Sequence, residues 1–219
     1  MLGTLKQTAE LVEVFRTQGR ELKYKKGEFV IRPGEAPTGI FYIYQGLVKA
    51  YDITKYGEEN LLIIRKEHEL FPLIWAITGQ ERHVVYEALA PKTVLWRIDR
   101  DVFMKHLQRH TDALAPLLDM TIEMYRLHSE RILNLEYRSV RERIISFLLT
   151  MNQRFGTHTE HGMLIAAPLR HQDIASSINS SRETVSRELV MLEHKGLVSH
   201  KQSFITLCDV KALRLLLSD

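Results

Sequence analysis

The chain has a single cysteine in 219 residues, Cys208. No internal disulfide can form, and neither an all-cysteine zinc site nor a four-cysteine iron–sulfur cluster can be built within one chain. Long apolar runs are also missing. The longest stretch free of Asp, Glu, Lys and Arg is Ala36–Val48, and Pro37, Gly39 and Gly46 interrupt it. It is too short and too broken to cross a bilayer, so no membrane partner is expected. The first residues do not set a basic start before an apolar core, so no secretory signal is expected and the expected location is the cytoplasm. No Gly-x-Ser-x-Gly, phosphate loop or His-Glu-x-x-His occurs, and there is no internal repeat. Cys208 itself is expected to be a small buried filler.

What is present is an ordinary globular composition: 45% hydrophobic and 26% charged residues, with a net charge of +3. The distribution of charge is more informative. Residues 1–137 hold 19 basic and 19 acidic side chains; residues 138–219 hold 11 basic, 8 acidic and five histidines. All of the positive excess lies in the last third, which points to a polyanionic partner there.

Residues 20 to about 98 have the texture of short strands. Lys26-Gly27, Pro33-Gly34, Gln45-Gly46 and Tyr56-Gly57 punctuate β-rich runs at Glu28–Ile31, Ile40–Tyr44, Leu47–Tyr51, Leu61–Ile64, Val84–Ala88 and Thr93–Ile98. That rhythm predicts an antiparallel sandwich or barrel. Asp99 or Asp101 is placed to cap a short helix through His110. A long helix is expected from Thr111 to Leu135. Leu117 and Met124 form one seam on it, and Leu118, Tyr125 and Ile132 another. Two seams suit a helix that packs on its own domain and on a partner.

The last third begins with a helix whose buried face is Val140, Ile144, Ile145, Phe147, Leu148 and Met151. A polar loop is expected over Asn152–Gly162. Next come a short helix (169–178), a turn at Asn179-Ser180, and a second helix from Ser181 to Lys195 stopped by Gly196. Leu197–His200 and Phe204–Leu207 read as a two-stranded wing. This is a helix-turn-helix pattern. Ala175 is small enough to let two helices cross closely, Ile178 and Val185 can fill the angle, and Ser180 or Ser181 can cap the second helix. Arg182, Glu183, Ser186 and Arg187 then share its polar face in the first two turns, the part that meets base edges in the major groove. Arg matches the O6 and N7 acceptors of guanine, and Glu accepts from the N4 amine of cytosine. The alternative is a solvated helix with an internal Glu183–Arg187 pair. That pair explains the charges but not the small residue, turn and wing together.

Ser-Arg-Glu-Thr-Val-Ser-Arg-Glu-Leu at 181–189, with Met-Leu-Glu-His-Lys-Gly-Leu-Val and Ile-Thr-Leu after it, resembles the DNA-binding end of the Crp/Fnr family. Gly27-Glu28, Pro33-Gly34-Glu35, Gly39-Ile40-Phe41 and Gly46-Leu47-Val48 extend the resemblance to about residue 20. It implies an α+β fold: a cyclic-nucleotide-binding-type β-roll sensor domain (1–110), a long dimerisation helix and hinge (111–137), and a C-terminal winged helix-turn-helix (138–219). It also implies a homodimeric transcription regulator, not an enzyme, that binds double-stranded DNA at a palindromic TGTGA- or TTGA-like site. Arg182, Glu183, Ser186 and Arg187 would read bases. Arg170, His171, Gln172, Thr184 and Lys201 fall where the family touches phosphates. The 152–162 loop falls where some activators touch RNA polymerase.

The effector stays open. The family's nucleotide cassette pairs Gly-Glu with a later Arg-Ser. This chain has Phe71-Pro72 for the first and Arg82-His83 for the second. Pro72 supplies neither carboxylate nor amide proton, so cyclic AMP is not the expected ligand. The residues that would line an effector pocket are Phe71, Arg82, His83, Tyr125 and His128; an apolar ligand and a pocket packed shut are both open. Ten histidines also leave haem ligation open, although the pairs His106/His110 and His158/His161 lack further ligands at fixed spacing. The competing readings are an effector-independent regulator, a non-DNA interaction module, and a cupin-type enzyme with a winged-helix tail. The strands lack the His-x-His and carboxylate cluster that the enzyme would need.

Overall fold

The computed structural model describes residues 5–217, with α-helix and antiparallel sheet both present. The chain falls into two compact units that divide inside one long helix, between Tyr125 and Arg126.

The first unit opens with α1 (Leu5–Gln18), which the strand-based reading did not anticipate. Its signal was available: Leu11, Val14 and Phe15 sit at helical spacing and are all buried. Eight strands follow: β1 (Arg20–Lys25), β2 (Phe29–Ile31), β3 (Ile40–Gln45), β4 (Val48–Ile53), β5 (Glu59–Arg65), β6 (Leu70–Phe71), β7 (Val85–Ala88) and β8 (Lys92–Ile98). They form two antiparallel sheets with strand orders β1-β8-β3-β6 and β2-β7-β4-β5. The short α2 (Leu73–Thr78) joins β6 to β7.

Strand β3 shows why the aromatic run Phe41–Tyr44 is so apolar. Successive side chains of a strand point to opposite faces. Phe41 and Ile43 enter a core with Ile31, Val48, Ala50, Phe71, Tyr86 and Leu95. Ile40 and Tyr42 enter another with α1, Ile98, Phe103, Leu107 and Leu117. A strand covered on both sides has no place for alternating polar residues.

The turn glycines behave as the sequence spacing predicts. Gly27, Gly34, Gly46 and Gly57 all have φ between 77° and 96°. Gly46 is the most constrained, because a Cβ there would lie 2.6 Å from the carbonyl oxygen of Lys92.

Helix α3 (Arg100–Arg109) starts after Asp99. Asp99 occupies the cap position but accepts from Arg97 Nη2 at 2.8 Å instead of capping the helix. His106 and His110 are stacked, with ring centroids 4.4 Å apart, and both hold Glu10 of α1. A 3-10 turn at Thr111–Ala113 leads into α4 (Leu114–Tyr137). Pro116 lies in the first turn of α4, where the missing amide proton costs nothing. The two seams behave differently. Leu117 is buried, whereas Leu118, Tyr125 and Ile132 are exposed at 58%, 74% and 56%.

The second unit contains α5 (Val140–Phe155), which starts in a capping box: the Ser139 amide donates to Glu142 at 2.7 Å, and the Glu142 amide donates to Ser139 Oγ at 3.4 Å. The hydrogen bonds from Ser139 hold the Glu142 carboxyl below its ordinary value. The expected loop at 152–162 is not a loop. Helix α5 continues to Phe155, then β9 (Gly156–Thr159) pairs with β10 (Gly162–Ile165). Strand β9 is exposed along its whole length, so it carries no apolar alternation to read. The wing strands β11 (Val198–Lys201) and β12 (Phe204–Leu207) complete a sheet of order β11-β12-β10-β9. Helices α6 (His171–Ser177), α7 (Arg182–His194) and α8 (Val210–Leu215) pack with α5 around Ile144, Leu148, Ile174, Val185, Leu189 and Leu213. Cys208 corrects its expectation: it is exposed.

Gly46→Ala is expected to destabilise the first unit by about 1–3 kcal/mol, since the residue would be strained at positive φ and would meet the Lys92 carbonyl. Urea unfolding of the two proteins measures the difference.

Candidate nucleic-acid interface

The site is built on a close helix crossing. Ala175 of α6 and Val185 of α7 have no exposed surface, and Ile178 between them is 4% exposed. The turn adopts positive φ at Asn179 (52°), a conformation Asn tolerates better than most residues. The Ser180 amide donates back to the Ala175 carbonyl at 3.0 Å. Ser181 then caps α7, its Oγ accepting from the Thr184 amide at 3.1 Å. At the far end of α7, the amide of Gly196 bonds to Glu193 and that of Leu197 to Leu192, with Gly196 at φ 69°. Those two bonds together are a Schellman motif.

This frame leaves Arg182, Glu183 and Arg187 exposed, with Ser186 and Thr184 half-buried beside them. The alternative Glu183–Arg187 pair does not form among the described residues. The carboxylate that α7 commits internally is Glu188, which accepts from Arg141 Nε at 2.7 Å.

The residues expected at phosphates surround this face. Arg170 forks onto Asp173, with Nε at 3.0 Å and Nη2 at 2.8 Å, and keeps 56% of its side chain exposed. Gln172 and Lys201 are exposed, and His171 is half-buried. The wing turn carries Gln202 at φ 57° and is tied to the segment before α6 by the Leu169 amide, which donates to the Ser203 carbonyl at 2.7 Å.

The residues expected at an effector pocket fall in different surroundings. Phe71 is fully buried and stacked between Phe41 (5.2 Å) and Tyr86 (4.6 Å). Arg82 and His83 are exposed on the connection before β7, and Tyr125 is exposed on α4. His128, also exposed, belongs to the second unit. Sequence reasoning missed Arg65 of β5. Its register partner is Val48, and Val48 lines the sandwich core, so the guanidinium enters the roll from its inner face. Only 11% of the side chain is exposed, Nη1 reaches Glu69 Oε2 at 3.5 Å and Met124 Sδ at 3.8 Å, and Nε has no partner. Burial raises the Tyr86 hydroxyl pKa, while the positive charges of Arg65 and Arg82 oppose it.

Comparison with known proteins then decides the family. A cyclic nucleotide-binding domain model matches residues 21–110, and a Crp-like helix-turn-helix domain model matches residues 142–216. The chain belongs to the Crp/Fnr family. It is 28% identical to the global nitrogen regulator of Synechocystis sp., over 96% of each protein. It is also 28% identical to the cAMP-activated global transcriptional regulator CRP of Salmonella typhimurium, over 88% of this chain and 91% of that one. In fold it is similar to FixK2 from Bradyrhizobium japonicum, with TM-score 0.78, 23% identity, and coverage of 92% and 98% of the two chains. A CooA mutant from Carboxydothermus hydrogenoformans gives TM-score 0.77 at 20% identity, covering 94% and 90%.

The Crp/Fnr assignment fixes the coarse function: a DNA-binding transcription regulator with an N-terminal domain of the cyclic nucleotide-binding type, a long helix and a C-terminal helix-turn-helix. Among the described residues, no helix is long and apolar enough to cross a membrane. No group of three or more His, Cys, Asp or Glu side chains among them is placed to hold a metal ion.

Ala175→Leu tests the crossing. Inserting three carbons into a fully buried contact should cost about 1–3 kcal/mol and displace α7, so that duplex binding falls while the first unit stays folded. Circular dichroism and duplex titration on the same sample read both effects.

Proposed function

We propose that the protein acts as a homodimer in the cytoplasm, each copy placing α7 in the major groove of a palindromic site with TGTGA- or TTGA-like halves. The observation that carries this reading is the exposed, internally unpaired set Arg182, Glu183 and Arg187 at the capped end of α7. A carboxylate beside two guanidinia at a phosphate-facing surface is repelled by the duplex unless a base amine meets it. Arg182, Glu183, Ser186 and Arg187 read bases in this proposal. Arg170, His171, Gln172, Thr184 and Lys201 hold phosphates, Arg170 from its position on Asp173.

The exposed seam of α4 supports the dimer. Leu114, Leu118, Ile122, Tyr125 and Ile132 are all at least 45% exposed on one helix, an apolar row that a single copy leaves in water. Functionally the chain divides into a sensor (1–110), a dimer helix and hinge (111–137) and a DNA-binding domain (138–219). The 156–165 hairpin occupies the surface at which an activator would meet RNA polymerase.

If an effector in the β-roll gates this activity, it is not cyclic AMP. Phe71 fills the position where nucleotide-binding relatives need an open backbone, and it is stacked on both faces. Pro72 beside it offers no carboxylate. Thermal shift with cyclic AMP is expected to leave the melting temperature unchanged; a shift of several degrees would overturn this part.

Arg187→Ala is expected to cost about 1–3 kcal/mol of specific binding and to relax preference at one base pair, whereas Lys201→Ala should weaken all sequences alike. Electrophoretic shift assays with palindromic and random duplexes separate the two. Unchanged specific binding by Arg187→Ala would remove the docking proposed here. Leu118→Glu with Tyr125→Glu should convert the dimer to a single chain in sedimentation.

A further inference from the structure

Between α6, the start of α7 and the β11–β12 turn lies a cavity of about 460 Å3, lined by Arg170, His171, Arg182, His200, Gln202 and Ser203 among others. The rings of His171 and His200 face each other there, with centroids 5.0 Å apart. Nε2 of each ring is buried without a hydrogen-bond partner. Buried polar atoms are normally paired, and other histidines of this chain follow that rule. His68 meets the Tyr42 hydroxyl at 2.6 Å, while His106 and His110 meet Glu10 at 3.1 and 2.7 Å. Both rings line this cavity while each Nε2 is turned away from solvent, so a phosphate entering it would stand beside two imidazoles with unspent hydrogen-bonding capacity.

We propose that the His171–His200 pair takes up one proton when a DNA backbone phosphate enters this cavity, so that duplex affinity rises as pH falls. The inference rests on the DNA-binding reading and adds His200, which lies outside the phosphate-contacting set proposed above.

The charges around the pair favour this sequence of events. Arg170 approaches from α6 but is held by Asp173; Arg182 and Glu193 approach from α7; His200 itself comes from β11. In the free protein, burial first and then the His200 and Arg182 charges hold His171 below the ordinary imidazole value, against the opposite pull of Glu193. The ring is therefore neutral at pH 7. A phosphodiester reverses the sign of the local field. It favours the imidazolium, which gains a donor that the neutral ring lacks at one nitrogen. Two rings this close beside Arg182 cannot both be charged, so uptake stops at one proton.

The direction follows from linkage. A group whose pKa is raised in the complex adds affinity that is present at low pH and lost as pH rises through the bound-state value. One proton changes affinity by at most about tenfold per pH unit.

The test is fluorescence anisotropy of the full chain with a labelled random-sequence duplex at low salt, from about pH 6 to about pH 8. Affinity is expected to be about tenfold higher at the lower pH. His171→Asn with His200→Asn should flatten that dependence, and His200→Lys, which fixes one charge in place, should bind tightly at both ends. His158→Asn with His161→Asn, on the opposite edge of the sheet, should keep the full dependence and so exclude an effect of net charge. Circular dichroism melts verify that each variant is folded, and His200→Lys serves if the double Asn variant is not. A pH-independent wild type, or a double Asn variant that retains the slope, overturns the proposal while leaving duplex binding intact. A chain that binds no duplex at any pH overturns the DNA reading and this inference with it.

Discussion

Ala175 has no solvent-accessible surface, and its side chain is a single methyl group. That methyl sets the distance at which α6 and α7 cross. A larger side chain would push α7 outward and tilt it, because packed interiors shift as rigid pieces and absorb little volume. The positive φ of Asn179, the Ser181 cap and the burial of Ile178 and Val185 are arranged around that distance. The exposed guanidinia of α7 inherit their direction from it. The polar face of α7 thus depends on an apolar contact beneath it.

The same dependence of chemistry on packing appears in the β-roll. Strand β3 serves two cores at once, and Phe71 is held in one of them by rings on either side. The Phe71 position is part of the hydrophobic interior. Among the polar groups of the roll is Arg65, turned in from β5, with Glu69 at the edge of hydrogen-bonding range. The interior of the N-terminal domain is set by volume as much as by charge.

Much of the architecture could be read in advance because its determinants are local. Gly27, Gly34, Gly46 and Gly57 marked the turns since only such residues reach those φ values without strain. The helix-turn-helix was legible because cap, small residue and turn lie within a dozen positions. The β9–β10 hairpin was not, because Thr157, His158 and Thr159 face water on both sides and leave no period-two pattern. Lys49 was equally hidden. It sits between Val48 and Ala50 and is 3% exposed, paired with Glu59 at 2.7 Å and lying over the Tyr51 ring. Nothing near it in sequence announces partners on β5 and β7. The His171–His200 contact joins α6 to β11 across nearly thirty positions, and only the closed fold brings the two rings together.

Strand β9 is an outer strand of its sheet, four residues long and polar throughout. An unpaired edge offers its amides and carbonyls to any extended segment that drifts near, and apolar edges of this kind seed fibrils. Threonine and histidine on both faces, with Glu160 in the turn that follows, give such a segment no dry surface to settle on. The same polarity that leaves β9 without a period-two pattern disfavours self-templating along this flank.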